Sequence, residues 1–568
     1  MTSMLKHPLG MCHRCGLLLC AFMLLQFVPS ALAQQDLTGY WDFRVPNGDG
    51  TFRETYIELH QNGETVTGTL LGRGPAGMPL EGTLKSGTLH LATVPGNFAP
   101  PAGGPPAGGP PAGAPPAGEP GAGGPPPAGG PGAGAPPAGA PRAIARRSIA
   151  YDGTIQDGKL LLQTRDFRGT VTQGVAERTT REATLPPSRL PLPKLRDLAD
   201  NGLARTPPMG WNSWNKFRGK VDDATVRSIA DAMVANGMDK LGYVYINIDD
   251  TWEGQRDAAG NLVPNKKFPD MKALADYVHS KGLKIGIYSS PGPSTCAGYA
   301  GSFGHEEQDA RSYAGWGIDY LKYDLCSARG IYQSTPGELQ GLYQKMGEAL
   351  QKTGRPIVYS LCEYGQGDVW KWGAKVGGNL WRTTGDIQDN WASMDRIGFN
   401  QLEIASFTKP GHWNDPDMLE IGNGGMNADE YRTHMSLWSL LAAPLIAGND
   451  LRSMSEETKS ILMNAEVIGI DQDPAAKPVQ VLSRQEKIVI VTRPLHDGSI
   501  AVGIFNRGDH AQEAGFDWKS LPIASSAKAL HARDLWKHAA LPVAGNRFST
   551  TVPAHGVVLL KVGTEQSR

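Results

Sequence analysis

"YLKYDLC", residues 320–326, reads as a short buried strand that ends in charge. Side chains alternate along a strand, so Lys322 and Asp324 share one face with Tyr320, while Leu321, Tyr323 and Leu325 share the other. An ammonium and a carboxylate on one side of an otherwise apolar strand call for an explanation from their surroundings. Those surroundings are a series. From about Leu203 the chain alternates strand-like runs with amphipathic helical runs. The strand candidates are "MGWNSW", "YVYINIDD", "KIGIYSS", "YLKYDLC", "IVYSLCE", "LWRTTGD", "HWNDPDML" and "PLIAGND". Between them lie helical patterns such as "DATVRSIADAMVANG" and "NADEYRTHMSLWSLLA", with Asp or Asn at the expected N-caps and glycine after several C-termini. Eight such units over residues 203–476 predict a (β/α)8 TIM barrel. A doubly wound open sheet is the competing arrangement; no Gly-rich phosphate fingerprint follows the first strand, which weighs against it.

The barrel is expected to have a β domain on either side, so the fold class is multidomain. Residues 34–190 alternate in short runs such as "FRETYIEL" and "TLHLATV", broken by "QNGE" and "KSGT". From about 99 to 141 runs a Pro/Gly/Ala-rich tract in which glycine does not recur at every third position; this excludes collagen and predicts a disordered insert in a loop of that one β domain. "PPSRLPLPKL" reads as a connector to the barrel. Residues 477–564 return to alternating strands, among them "EKIVIVTRPL" and "AHGVVLLKV", and predict a C-terminal antiparallel β-sandwich.

Residues 1–33 carry the marks of an export signal: Lys6, His7, His13 and Arg14, then "GLLLCAFMLLQFV", then the small-residue site "ALA" ending at Ala33. The apolar run is shorter than the roughly 20 residues of a membrane span, so a secreted or periplasmic chain starting near Gln34 is expected in preference to an anchored one. Cleavage would leave Cys296, Cys326 and Cys362, without a CxxC pair, and no structural zinc site is expected. The net charge is −1, from 55 basic and 56 acidic residues, which points away from nucleic-acid or membrane-surface partners and towards a neutral substrate.

Active sites of such barrels lie at the C-terminal ends of the strands. Asp249 and Asp250, Lys322 and Asp324, Cys362 and Glu363, Arg382 and Asp386, and Asp415 and Asp417 all fall there, interleaved with Trp211, Trp214, Trp252, Tyr288, Tyr364, Trp381 and Trp413. Carboxylates supply acid/base chemistry and bind hydroxyls, while aromatic faces stack on the C–H side of a pyranose. Taken singly, each has an ordinary alternative: a solvated turn for Asp249-Asp250, a structural ion pair for Lys322 and Asp324, a helix cap for Asp386, and a metal cluster of His412, Asp415 and Asp417. Their gathering at one end of one barrel favours a sugar site.

The motifs "TPPMGWNSWNKF", "YINIDDTW", "GIYSSPGPSTCAG", "YLKYDLC", "YSLCEYG", "WRTTGDIQDNW" and "HWNDPDML" resemble glycoside hydrolase family 27, the α-galactosidases (melibiases) and α-N-acetylgalactosaminidases. The resemblance covers residues 203–562 and implies retaining hydrolysis of terminal α-galactosides on oligosaccharides or polysaccharide side chains. It assigns the nucleophile to Asp324 and the acid/base to Asp386, with no metal or organic cofactor. Lys322 would hold Asp324 ionised, since a nearby cation lowers a carboxylate's pKa. Asp386 would need a raised pKa, which Arg382 would oppose if it were close. The resemblance places Asp249 and Asp250 at the sugar's O4 and O6. It makes Trp214 and Tyr288 walls of the pocket and puts Glu363 and Arg382 near position 2. It also pairs Cys296 with Cys326 in a disulfide, Cys296 lining the pocket, and leaves Cys362 a buried thiol. Glu363 and Tyr364 stand where N-acetylgalactosaminidases have small residues, which favours galactose; many relatives have Trp in place of Tyr364. A β-L-arabinopyranosidase and a binding protein without catalysis are the remaining alternatives.

Overall fold

The computed structural model describes residues 36–71, 77–94, 148–165, 169–523 and 530–564. The expected export segment and the Pro/Gly/Ala-rich tract lie outside these residues.

The N-terminal unit is a closed barrel of eight antiparallel strands, each paired with the next. Its first strand, Gly39–Pro46, also pairs with its last, Val171–Thr179, from Tyr40 opposite Thr179 to Arg44 opposite Val175. Alternation turns Trp41, Phe43, Leu59, Leu80, Leu89 and Leu160 inward to a common core. Closure leaves the sheet without a free edge. Strands Thr88–Thr93 and Ala150–Gln156 are neighbours, so residues 95–147 join adjacent strands of one sheet.

The connector after this barrel is bound along its length to the helix Pro336–Lys352. Leu192 and Leu198 lie against Gly341 and Gly347, where a Cβ would crowd them. The Arg196 guanidinium pairs with Glu348 at 2.9 Å, and the Gln344 amide donates to the Lys194 carbonyl at 2.9 Å.

The eight stretches quoted above form the parallel strands of the central barrel: β1 (Met209–Asn212), β2 (Tyr245–Asn247), β3 (Lys284–Ser289), β4 (Tyr320–Asp324), β5 (Val358–Cys362), β6 (Leu380–Arg382), β7 (Trp413–Asp415) and β8 (Leu445–Ala447). Their spatial order is 7-6-5-4-3-2-1-8. The ring closes just past β7, where Leu419 bridges to Ala447 and its N–H donates to the Ile446 carbonyl at 2.8 Å. The intervening helices start where Asp222, Asp270, Asn390 and Asn427 accept hydrogen bonds from first-turn N–H groups. Among them, Asn390 and not Asp386 caps the helix Trp391–Asn400.

Inside the barrel the side chains form layers. Tyr245, Tyr320, Val358, Leu380 and Trp413 make an apolar floor. Two residues further along the strands stand Asn247, Lys322, Ser360, Arg382 and Asp415, and above these Asp249, Asp324 and Cys362. The interior therefore turns from apolar to charged towards the C-terminal ends. Gly286 of β3 is required at this level, because a Cβ there would sit 2.1 Å from the Asn247 side-chain oxygen.

The C-terminal unit packs a six-stranded antiparallel sheet and a two-stranded one around Ile490, Val502, Phe516 and Leu560. It docks on the barrel through His555, which stacks on Trp391 with ring centroids 4.1 Å apart and bonds Glu430 at 2.7 Å. Among the described residues no helix is long and apolar enough to cross a membrane.

Candidate active site

Asp324 ends β4 at the bottom of the cleft and is 5 % exposed. The Tyr364 hydroxyl donates to its Oδ1 at 2.6 Å. Burial raises the Asp324 carboxyl above its ordinary value; the charge of Lys322 and the Tyr364 hydrogen bond pull it down without cancelling the rise. Lys322 makes no ion pair with Asp324, although its charge lowers that carboxyl in the direction expected from the sequence. Its ammonium bonds Asp249 Oδ2 at 2.8 Å and lies 5.2 Å over the Tyr288 ring. The reason is the strand's own period. Positions two apart are about 7 Å apart along the barrel, so Lys322 sits one layer below the nucleophile candidate and its arm crosses to the end of β2.

Asp249 also accepts from the Asn212 amide of β1 at 2.8 Å. Asp250 is 2 % exposed, and its Oδ2 accepts from the Ala297 N–H at 2.7 Å. Its Oδ1 is enclosed by the protein, and hydrogen bonds from the Thr295 side chain and the Ala297 N–H favour its ionised form. Burial is the main cause that pushes Asp250 up to about 7, with the charges of Asp249 and Asp324 adding to it. Cys296 and Cys326 form a disulfide, and the Tyr288 hydroxyl lies 3.1 Å from Cys326 Sγ. Trp214 is half-buried just past β1, its N–H tied to Asn212 at 2.8 Å.

Arg382 points inward from β6 and is shared by two acids: Asp386 at 3.0 Å and Asp417 at 3.1 Å. Asp386 stands at the mouth, with 68 % of its side chain exposed. Partial burial in the cleft wall raises its proton affinity, but the charges of Arg382 and Lys322 and the Arg382 hydrogen bond outweigh that and hold the carboxyl below its usual range. The raised pKa expected for an acid catalyst is therefore absent, because Arg382 is close.

Cys362, the last residue of β5, faces inward, where Arg382 Nη1 lies 3.7 Å from its sulfur. Glu363 follows the end of the strand and is fully buried; burial holds its carboxyl well above the usual range, with Arg382 lowering it and the charge of Asp324 raising it. Cys362 is a buried free thiol. Three contributors escaped the sequence reading: the Tyr364 hydroxyl on Asp324, Asp417 as the second anion on Arg382, and the Ala297 N–H on Asp250. Tyr364 and Asp417 were visible as polar groups at strand ends; a backbone N–H leaves no signal in a sequence.

Three non-glycine residues with left-handed φ border the site: Thr251 at 88°, Tyr364 at 62° and Asp417 at 100°. Such backbone is costly for side-chain-bearing residues and collects where function requires it.

The alpha galactosidase A family model matches residues 206–473, and the model of the alpha galactosidase C-terminal beta sandwich domain matches residues 485–562. An α-galactosidase of Cyamopsis tetragonoloba is 47% identical over 364 residues, 63% of this chain and 87% of that protein. The crystal structure of α-galactosidase I from Mortierella vinacea is 40% identical with a TM-score of 0.62, covering 64% of this chain and 99% of that one. A Saccharomyces cerevisiae α-galactosidase solved with raffinose is 29% identical with a TM-score of 0.61, covering 65% and 100%. With its matched barrel and its matched C-terminal domain, the chain belongs to the α-galactosidase (melibiase) family, glycoside hydrolase family 27.

Proposed function

We propose that this chain is an exported retaining α-galactosidase that removes terminal α-linked galactose from oligosaccharides or polysaccharide side chains. The observation that carries the reading is the unequal pair of acids: Asp324 enclosed at the bottom of the cleft on β4, and Asp386 open at its mouth beyond β6. Asp324 attacks the anomeric carbon while Asp386 gives its proton to the leaving oxygen. The covalent galactosyl ester is then hydrolysed by a water that returns a proton to Asp386, and two inversions give net retention. Asp249, Asp250 and Lys322 form the polar wall of the pocket, Trp214 and Tyr288 its aromatic part. Asp250, read as the acceptor for O6, supports a hexose over a pentose. The restriction at position 2 rests on Glu363 and Tyr364.

The active form needs Asp324 ionised and Asp386 protonated, the reverse of each group's local preference. The rate–pH profile should therefore be a bell whose acid limb follows Asp386 and whose alkaline limb follows Asp324.

Asp324→Asn and Asp386→Asn should each lower turnover of an aryl α-galactoside by a factor on the order of 10³ or more, with the fold retained. A slow 2-fluorogalactoside should label Asp324, as read by peptide mass. A label on another residue, or folded variants with near-normal rates, would falsify the assignment. Parallel assays on aryl α-N-acetylgalactosaminide and β-L-arabinopyranoside test the choice of sugar.

A further inference from the structure

The N-terminal barrel meets the catalytic barrel through the turn after its first strand, and one residue of that turn is enclosed. Asp49 has a side chain only 4 % exposed. Its carboxylate accepts from the Thr51 N–H at 2.9 Å within the turn. Its other oxygen accepts from the Tyr299 hydroxyl at 2.8 Å and the Asn265 amide at 3.3 Å, both in the catalytic barrel. The Asp49 carbonyl accepts from the Lys266 N–H at 3.1 Å.

Tyr299 and Asn265 belong to the two loops that flank Asp250. Tyr299 closes the turn that presents the Ala297 N–H to Asp250: its carbonyl accepts from the Thr295 N–H at 2.8 Å, and its own N–H donates to the Thr295 hydroxyl at 2.9 Å. The same turn carries Cys296, bonded to Cys326 two residues beyond Asp324. Asn265 donates on the other side, to the carbonyls of Thr251 at 2.8 Å and Glu253 at 3.2 Å. Thr251, directly after Asp250, is the β-branched residue at φ 88°, a conformation that neighbours must enforce.

A contact that merely fastened two domains would not need a buried carboxylate, since burying one is costly unless its hydrogen bonds are supplied. Here Thr51 of the same turn supplies one oxygen, and the two segments that flank Asp250 supply the other, with the Lys267 ammonium 4.0 Å away. We propose that Asp49 is a positioning residue of the sugar site, so that the N-terminal barrel completes the catalytic pocket. The proposal rests on the reading of Asp250 as a sugar-binding carboxylate.

The test uses the full chain and the variants Asp49→Ala, Tyr299→Phe and, as reference, Asp250→Ala. KM and kcat for an aryl α-galactoside, the inhibition constant of galactose and the thermal midpoint are measured for each. Asp49→Ala should raise KM and the galactose constant roughly tenfold, with kcat within about threefold, because loosened positioning weakens binding. Tyr299→Phe, which keeps the ring and loses one hydrogen bond, should move both constants the same way by about threefold. It decides the matter if Asp49→Ala does not fold. A lowered thermal midpoint with unchanged KM and galactose constant in both variants would mean a fastening contact and overturn the proposal. Unchanged constants in Asp250→Ala would remove the sugar-site reading underneath it, and the proposal with it.

Discussion

Tyr364 shows how much one side chain can set. Its backbone is left-handed, and the next residue, Gly365, packs so closely that a Cβ there would lie 2.3 Å from the Thr383 carbonyl. The bend brings the phenol over the end of β4, where it donates to Asp324 and lies under the Arg329 and Arg382 guanidinium groups at 5.1 and 5.6 Å. A hydrogen bond to the ionised form of an acid lowers its pKa. Tyr364→Phe keeps the ring and removes that bond, so Asp324 would hold its proton to higher pH. Because Asp324 is the raised and Asp386 the lowered member of the pair, Asp324 governs the alkaline limb of kcat/KM; that limb should move up in pH, and kcat/KM at the optimum should fall roughly tenfold or more, as for a lost hydrogen bond to a charge. An unmoved alkaline limb would mean the hydroxyl does not act on the nucleophile.

At the scale of the element, β4 depends on a pair that crosses to its neighbours. Lys322 and Asp249 are both nearly enclosed, with side chains 15 % and 3 % exposed. Removing one partner of such a pair leaves a buried charge alone, at a cost of roughly 3–5 kcal/mol. Lys322→Met should lower the stability of the catalytic barrel by about that much in urea denaturation. Adding Asp249→Asn should recover part of it, since a neutral amide needs no counter-charge. A single variant as stable as the parent would show that Asp249 is already neutral or hydrated. The pair also marks where the sequence stopped being legible. Each strand could be read because its apolar runs were bounded by turn residues, and the inward face of β4 followed from a period of two. Which carboxylate the ammonium would reach depended on the stagger of adjacent strands, which no single strand encodes. Likewise the Ala297 N–H comes from 47 residues beyond Asp250, and Asp49 from another domain; neither contact has a local pattern. Closure of the N-terminal barrel, first strand against last, is non-local in the same way.

For the whole molecule, the buried acids set how stability should change with pH. Burial leads the causes that push Asp250 and Glu420 up to about 7 and Asp415 up to about 6, and it holds Glu253, Glu363 and Asp471 well above the usual range. A carboxyl whose folded value is raised binds its proton more tightly folded than unfolded. Its contribution is therefore complete below the unfolded value near pH 4 and is lost as pH rises through the folded value. Burial acts oppositely on His434, pushed down to about 3, and on His412, also lowered; their contribution is lost as pH falls below about 6.5. Six carboxyls against two imidazoles decide the sign between pH 5 and 8. Below that window Glu466 and Asp497, each held at about 2 chiefly by the Arg533 and Lys561 partners that outweigh desolvation, begin to lose their pairs. The thermal midpoint at constant ionic strength should thus be higher at pH 5 than at pH 8 and fall again towards pH 3. An equal or higher midpoint at pH 8 would mean these carboxyls ionise without strain inside the fold. Saturating galactose should flatten the fall between pH 5 and 8, because a sugar hydroxyl donating to Asp250 favours its ionised form.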